Sequence, residues 1–126
     1  MDASAFVKFI IEEEESRALR VFLAREHGRY ISSSLLRTEA LQAAAKHGSE
    51  ALTVAREALQ RVDLVAIDDR ILDNAGLLHP DVMRSLDAIH VATALAIGDD
   101  LDVVVTYDER MIKASSLLGI PTATPI

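Results

Sequence analysis

Apolar residues recur through the first half of the chain every three or four positions, a spacing typical of helices that bury one face. The pattern predicts helices over residues 5–11, about 15–26, 35–45 and about 50–61. Ser4, Ser34 and Ser49 are the predicted N-caps of the first, third and fourth of these helices, because a serine oxygen can accept a free backbone N–H at a helix start. A short run at 30–33 predicts a strand between the second and third helices.

In the second half, short apolar runs predict strands at 64–67, at 102–106 and, briefly, after Pro121. A helix starting at Asp68 or Asp69 is predicted to reach Leu78, and another runs from Asp108 to about residue 118. Between them His79–Pro80 predicts a break and a loop as far as residue 84. The helix predicted over 86–97 is apolar on most sides, which is typical of a central helix.

Strands that alternate with helices predict an α/β fold, with a central parallel sheet of four to five short strands and about seven helices on its two faces. At 126 residues the chain is expected to form a single domain over 1–126. Parallel sheets of this kind bind ligands outside the carboxyl ends of their strands. Asp2 is expected to end the first strand, yet only Met1 precedes it. Either this strand is nearly absent, or the natural chain begins further upstream.

Composition excludes several classes of protein. The chain has no cysteine, which excludes disulfides and thiolate metal sites. No basic segment followed by an apolar run marks a signal peptide, and no apolar stretch is long enough for a membrane span, so a cytoplasmic location is expected. The net charge of −7 argues against general affinity for nucleic acids, but a divalent cation in an acidic pocket would still permit a nucleic-acid substrate.

Four acidic residues stand at predicted strand ends or helix turns, in small-residue or apolar surroundings: Asp2, Glu39, Asp87 and Asp108. For a random acidic residue, a solvated surface position is the better explanation in about four cases of five. Each of the four also has an ordinary structural explanation. Asp108 can cap a helix, Asp87 can face a helix dipole, Glu39 can pair with Arg37 or a neighbouring helix, and Asp2 can be disordered at the terminus.

If the fold gathers these four acids into one pocket, their repulsion demands a bound cation or raised pKa values. Oxygen ligands without cysteine favour Mg²⁺ or Mn²⁺. The hydroxyls of Ser4 and Thr106 are candidates for orienting a carboxylate or a metal-held water. The run of four glutamates at 12–15 is better explained as solvated surface, and the four histidines lack a metal-binding spacing.

With these residues in view, the chain resembles the PIN-domain family, and within it the VapC-type toxins of toxin–antitoxin systems. The resemblance extends over nearly the whole chain, and it is carried by DASAFVK at 2–8, SSLLRTE at 33–39, LDAIHVATA at 86–94, VTYDER at 105–110 and LGIP at 118–121. It implies a three-layer PIN-like fold. The chain departs from the family in its truncated first strand, because family members usually have several apolar residues before the first aspartate. It also implies endonucleolytic cleavage of RNA at a site where Asp2, Glu39, Asp87 and Asp108 are catalytic and the three aspartates bind Mg²⁺ or Mn²⁺.

The same resemblance implies an inhibitory VapB-like antitoxin and a homodimer, for which apolar residues of the first helices (Phe6, Phe9, Ile10 and Phe22) are candidate contacts. Arg37, Arg84 and Arg110 are candidates for RNA phosphate contacts. Two alternatives remain open. One is a catalytically inactive PIN-like module that binds RNA or protein. The other is a receiver-like signalling domain, which would need a lysine after the strand at 102–106, where the chain has Thr106-Tyr107-Asp108 instead.

Overall fold

Four short strands, paired in parallel two by two, run through the computed structural model, which describes residues 1–26, 28–78 and 83–126. Strand β1 (Tyr30–Ser33) pairs with β2 (Val62–Val65), and β3 (Val104–Val105) pairs with β4 (Thr122–Ala123). The α/β class, the parallel pairing and the number of strands confirm the prediction for the part of the chain described.

Seven α-helices accompany these strands in the described ranges, as predicted. They are α1 (Ala3–Ile10), α2 (Ser16–Arg25), α3 (Leu35–Ala45), α4 (Ser49–Leu59), α5 (Asp69–Gly76), α6 (Ser85–Ile97) and α7 (Glu109–Leu117). A short 3₁₀ turn, Gly98–Asp100, follows α6. None of the helices in these ranges is long and apolar enough to cross a membrane. The break predicted at His79–Pro80 lies outside the described residues.

Met1 and Asp2 occupy the position expected of a first strand. The amino group of Met1 donates to the carbonyl of Ile31 in β1 at 3.3 Å, and the backbone N–H of Asp2 donates to the carbonyl of Val105 in β3 at 3.1 Å. Met1 and Asp2 therefore lie between β1 and β3 and connect the two pairs of strands. Asp2 is only 6% exposed, so the explanation of a disordered terminus is wrong. Burial lowers the pKa of the Met1 amine, and the charge of Asp2 opposes that shift.

Several predicted boundaries move by one or two residues, and three of these shifts have a clear local cause. Helix α1 is capped by Asp2 rather than Ser4, because the Asp2 carboxylate accepts the N–H of Ala5 and draws the helix start upstream. Gly48, with a φ of 100° that suits glycine, precedes α4, so Ser49 is its first helical residue. Strand β2 ends at Val65 because its partner β1 turns into α3 there, with the N–H of Ser34 donating to the carbonyl of Val65.

The core is aliphatic and is organised around α1 and α6. Phe6 of α1 is fully buried against Leu36 and Ala40 of α3. Helix α6 buries Ala88, Val91, Ala92 and Thr93, as expected of a central helix, and it packs between α5 and α7. These contacts hold α1 against α3 and α6 against α5 and α7. The starts of α1, α6 and α7 carry the three candidate aspartates, and α3 carries Glu39.

Candidate functional site

Asp2 is a buried carboxylate with most of its hydrogen-bonding capacity in use. Its Oδ1 accepts from the hydroxyl of Ser4 at 2.6 Å and from the N–H of Ala5 at 3.1 Å. Its Oδ2 accepts from the hydroxyl of Thr106 at 2.5 Å. A carboxylate has about four acceptor positions, so one position on Oδ2 is left for a further ligand. The same bonds that cap α1 thus hold the Asp2 carboxylate in a fixed orientation.

Thr106 links Asp2 to the second aspartate. It is fully buried directly after β3, and its hydroxyl oxygen accepts the backbone N–H of Asp108 at 3.0 Å while donating to Asp2. Asp108 in turn caps α7, since its Oδ1 accepts the N–H of Arg110 at 2.9 Å. Ser4 contributes from the other side by accepting the N–H of Tyr107 at 2.8 Å. The two hydroxyls named in the sequence analysis therefore tie the start of α1 to the end of β3.

Asp87 is the third aspartate, in the first turn of α6, and its carboxylate makes no hydrogen bond with any described residue. The pKa of Asp87 is raised, mainly by burial and further by the negative charges of Asp108 and Asp2. The charges of His90 and Arg110 oppose the shift only in part. Asp87 and Asp108 therefore lie on the same side of the molecule, with too little positive charge nearby to balance them.

Glu39 reaches this region from α3 and is held by a partner that the sequence analysis did not assign to it. Its Oε1 lies 2.5 Å from Nε2 of His90, and the two side chains are 24% and 9% exposed. Of the two pairings expected for Glu39, the one with a neighbouring helix is confirmed, since His90 belongs to α6. No contact with Arg37 is found among the described residues, because residues two apart on a helix point in different directions. His90 lies three residues after Asp87, on the same face of α6, and that spacing was the available signal.

The structure thus brings Asp2, Asp87 and Asp108 to one edge from three elements and places Glu39 beside them through His90. The carboxylate oxygens suit a hard divalent cation such as Mg²⁺ or Mn²⁺, since Asp2 keeps an open acceptor position and Asp87 has no hydrogen-bond partner in the described part of the chain. As they stand, no three acidic or histidine side chains within the described ranges approach closely enough to share one ion. Binding would therefore require these carboxylates to draw closer together.

The three arginines named as phosphate contacts are all exposed. Arg110 lies near enough to lower the pKa of Asp87, whereas no contact links Arg37 or Arg84 to the acids in the part of the chain described. Of the histidines, only His90 touches one of the four acids among the residues described, and His27 and His79 lie outside those residues. The basic character of the site's immediate surroundings is therefore slight.

The pairing of Glu39 with His90 is expected to couple α3 to α6 energetically. In a double-mutant cycle with Glu39→Gln and His90→Gln, the two changes should share a coupling energy of about 1 kcal/mol, since a partly buried hydrogen bond to a charged group is lost in both. The measurement is urea unfolding of the four proteins at pH 7. Strictly additive effects on the free energy of unfolding would contradict the pairing.

Comparison with known proteins adds a family match. Residues 1–117 match the PIN domain family. The chain is 45% identical over 125 residues to Ribonuclease VapC46 of Mycobacterium tuberculosis (strain ATCC 25618 / H37Rv), an alignment covering 99% of this chain and 95% of that protein. It is 35% identical over 129 residues to Ribonuclease VapC47 of Mycobacterium tuberculosis (strain CDC 1551 / Oshkosh), with the same coverage of each. It is 37% identical over 128 residues to Ribonuclease VapC35 of Mycobacterium tuberculosis (strain ATCC 25618 / H37Rv), with the same coverage of each.

Proposed function

The chain belongs to the PIN-domain family, and we propose that it is a VapC-type endoribonuclease, the toxin of a VapBC pair, that cleaves RNA phosphodiester bonds with Mg²⁺ or Mn²⁺ at Asp2, Asp87 and Asp108. One observation carries the proposal. Three aspartates from three separate elements lie at one edge, and the charges of two of them raise the pKa of the third. A bound cation would offset the repulsion among these carboxylates and so stabilise the arrangement.

A divalent ion held there would lower the pKa of an attacking water, stabilise charge on the phosphoryl oxygens and orient in-line attack. The chain's own residues have distinct tasks around it. Ser4 and Thr106 fix the Asp2 carboxylate, so that its open acceptor position points in one direction. Glu39 is held through Oε1 by His90, which leaves its Oε2 free of partners among the described residues to complete the site or to position a water.

The names of the relatives support RNA as the substrate and, through the VapC designation, a VapB-like antitoxin as the partner. An antitoxin that inhibits an acidic site would do so most directly with a basic side chain. We further propose a homodimer in the cytoplasm. Of the apolar residues considered for an interface, Phe6 is fully buried in the core and is removed from that set. Phe9, Ile10 and Phe22 are only partly buried.

Metal dependence provides the test. Isothermal titration with Mn²⁺ is expected to show saturable binding, and RNA cleavage should stop with excess EDTA and return when Mg²⁺ or Mn²⁺ is added back. Without the ion, the acidic edge repels the phosphate and nothing activates the water. Cleavage that persists in EDTA would refute the proposed chemistry. RNA binding with no cleavage at any metal concentration would instead identify the inactive PIN-like module.

A further inference from the structure

A groove of about 610 Å³ opens from the acidic edge and runs between α1 and α3. At one end it is lined by Ser4, which bonds to Asp2, and by Glu39. Tyr107 and the half-exposed Leu86 line it beside these two residues. Because Ser4 and Glu39 belong to both the groove and the candidate site, a chain lying in the groove would lead directly to the acids.

Helix α3 and the residue that follows it contribute one face to this groove. The lining residues are Glu39, Gln42 and Ala43 of α3 and the C-cap residue Lys46. They follow the i, i+3, i+4, i+7 spacing of a single helix face, and at 1.5 Å per residue Lys46 lies about 10 Å along the axis from Glu39. The groove therefore offers, in order away from the acids, an amide, a small residue and a terminal ammonium group.

Charge distinguishes the groove from the rest of the molecule. It is lined by two cations, Lys8 and Lys46, and by two anions, Glu13 and Glu39, so its formal charge is zero on a chain whose net charge is −7. Lys8 is already neutralised by Glu13 at 2.7 Å and Glu15 at 2.8 Å, and its Nζ lies 5.0 Å from the ring centroid of Tyr107. Lys46 is exposed and makes no ion pair within the described ranges.

From this arrangement we propose that the groove between α1 and α3 binds the single-stranded RNA flanking the scissile bond and that Lys46 contacts one of its phosphates. The inference rests on the proposed nuclease function. Arg37, two residues before Glu39 on α3, does not line the groove and stays a separate prediction. The substrate must be single-stranded at this point to follow a groove between two helices.

The test is RNA binding by fluorescence anisotropy, with a labelled 20-nucleotide single-stranded RNA of randomised sequence. An Asp87→Asn background prevents cleavage during the measurement. Lys46→Glu is expected to raise Kd about five- to tenfold. It should also reduce the slope of log Kd against log salt by about 0.7, the value for one phosphate contact on a single strand. Lys46→Arg, which keeps the charge, should bind as tightly as the unsubstituted background.

Lys113→Glu is the matched control, because it makes the same charge change at an exposed position on α7 that does not line the groove. If Lys46→Glu and Lys113→Glu weakened RNA binding equally, the effect would come from overall charge and the inference would be overturned. Unchanged RNA binding together with weakened antitoxin binding would overturn it as well and assign the groove to the protein partner. RNA binding is measured in a variant that does not cleave RNA. The result therefore tests the groove even if the nuclease proposal fails.

Discussion

Asp87→Asn is expected to reduce RNA cleavage by at least about a hundredfold, because loss of even an indirect metal partner costs 10- to 100-fold in metal sites. The same substitution should stabilise the folded chain at pH 7. The Asp87 carboxylate has a raised pKa, caused first by burial and then by the charges of Asp108 and Asp2. Its ionised form is therefore disfavoured in the folded state, and a neutral amide of the same shape removes that cost.

The sign of the pH dependence follows from the same shift. With a raised pKa, the folded chain binds the Asp87 proton more tightly than the unfolded chain does. The stability contributed by this group therefore rises as the pH falls through the raised pKa towards the ordinary aspartate value, and it is lost at neutral pH. In Asp87→Asn this component should be absent. Comparing urea unfolding of both proteins between pH 4 and pH 7, without added metal, measures it.

Asp69→Asn is the matched control, since Asp69 is an exposed acid in the first turn of α5, where it also faces a helix dipole. Its replacement should leave cleavage unchanged and lower stability slightly, because a favourable dipole contact is lost without any relief of repulsion. Full cleavage by Asp87→Asn at limiting Mg²⁺ would defeat the assignment of Asp87. An unchanged free energy of unfolding in Asp87→Asn would show that the Asp87 carboxylate is not repelled by Asp108 and Asp2 in solution.

The sequence was sufficient to predict the elements, because each is marked by short-range chemistry. Apolar spacing predicted the helices, and Asp68 and Asp108 proved to cap α5 and α7 through their side chains. Boundaries set by a partner were less predictable. Strand β2 stops at Val65 only because β1 leaves the sheet, and no local signal at residues 66–67 records that event.

The three aspartates could be named in advance because each follows a strand or opens a helix, positions that meet at one edge of a parallel sheet. Glu39 could be named because it lies on a helix turn among small and apolar residues. Their second contacts could not. The bond from Glu39 to His90 joins residues 51 apart, and that from Thr106 to Asp2 joins residues 104 apart. Such pairings depend on how α3, α6 and β3 pack together. Lys46 was missed for the same reason, since its importance appears only once α1 and α3 form a groove.

Thr106→Val is expected to weaken Mn²⁺ binding by about 10- to 100-fold and to lower the free energy of unfolding by about 1–3 kcal/mol. Valine has nearly the shape of threonine but no hydroxyl. Its introduction would leave Asp2 Oδ2 without a donor and the Asp108 N–H without an acceptor, both close to a fully buried position. Two of the proposed metal-binding residues would lose their common support at once. Isothermal titration and urea unfolding measure the two effects separately.

Thr93→Val is the matched control, because it removes a buried hydroxyl that does not contact the candidate acids. Thr93 is 2% exposed, and its hydroxyl donates only to the carbonyl of Ile89 one turn earlier in α6. The Ile89 carbonyl remains part of α6 when the Thr93 hydroxyl is removed. Thr93→Val should therefore leave Mn²⁺ affinity unchanged. Thr106→Ser restores the hydroxyl and should recover metal affinity, with only the modest cost of a lost methyl group. If Thr106→Val and Thr106→Ser bound Mn²⁺ equally, the hydroxyl would have no part in orienting Asp2, and the link between β3 and α1 would be purely structural.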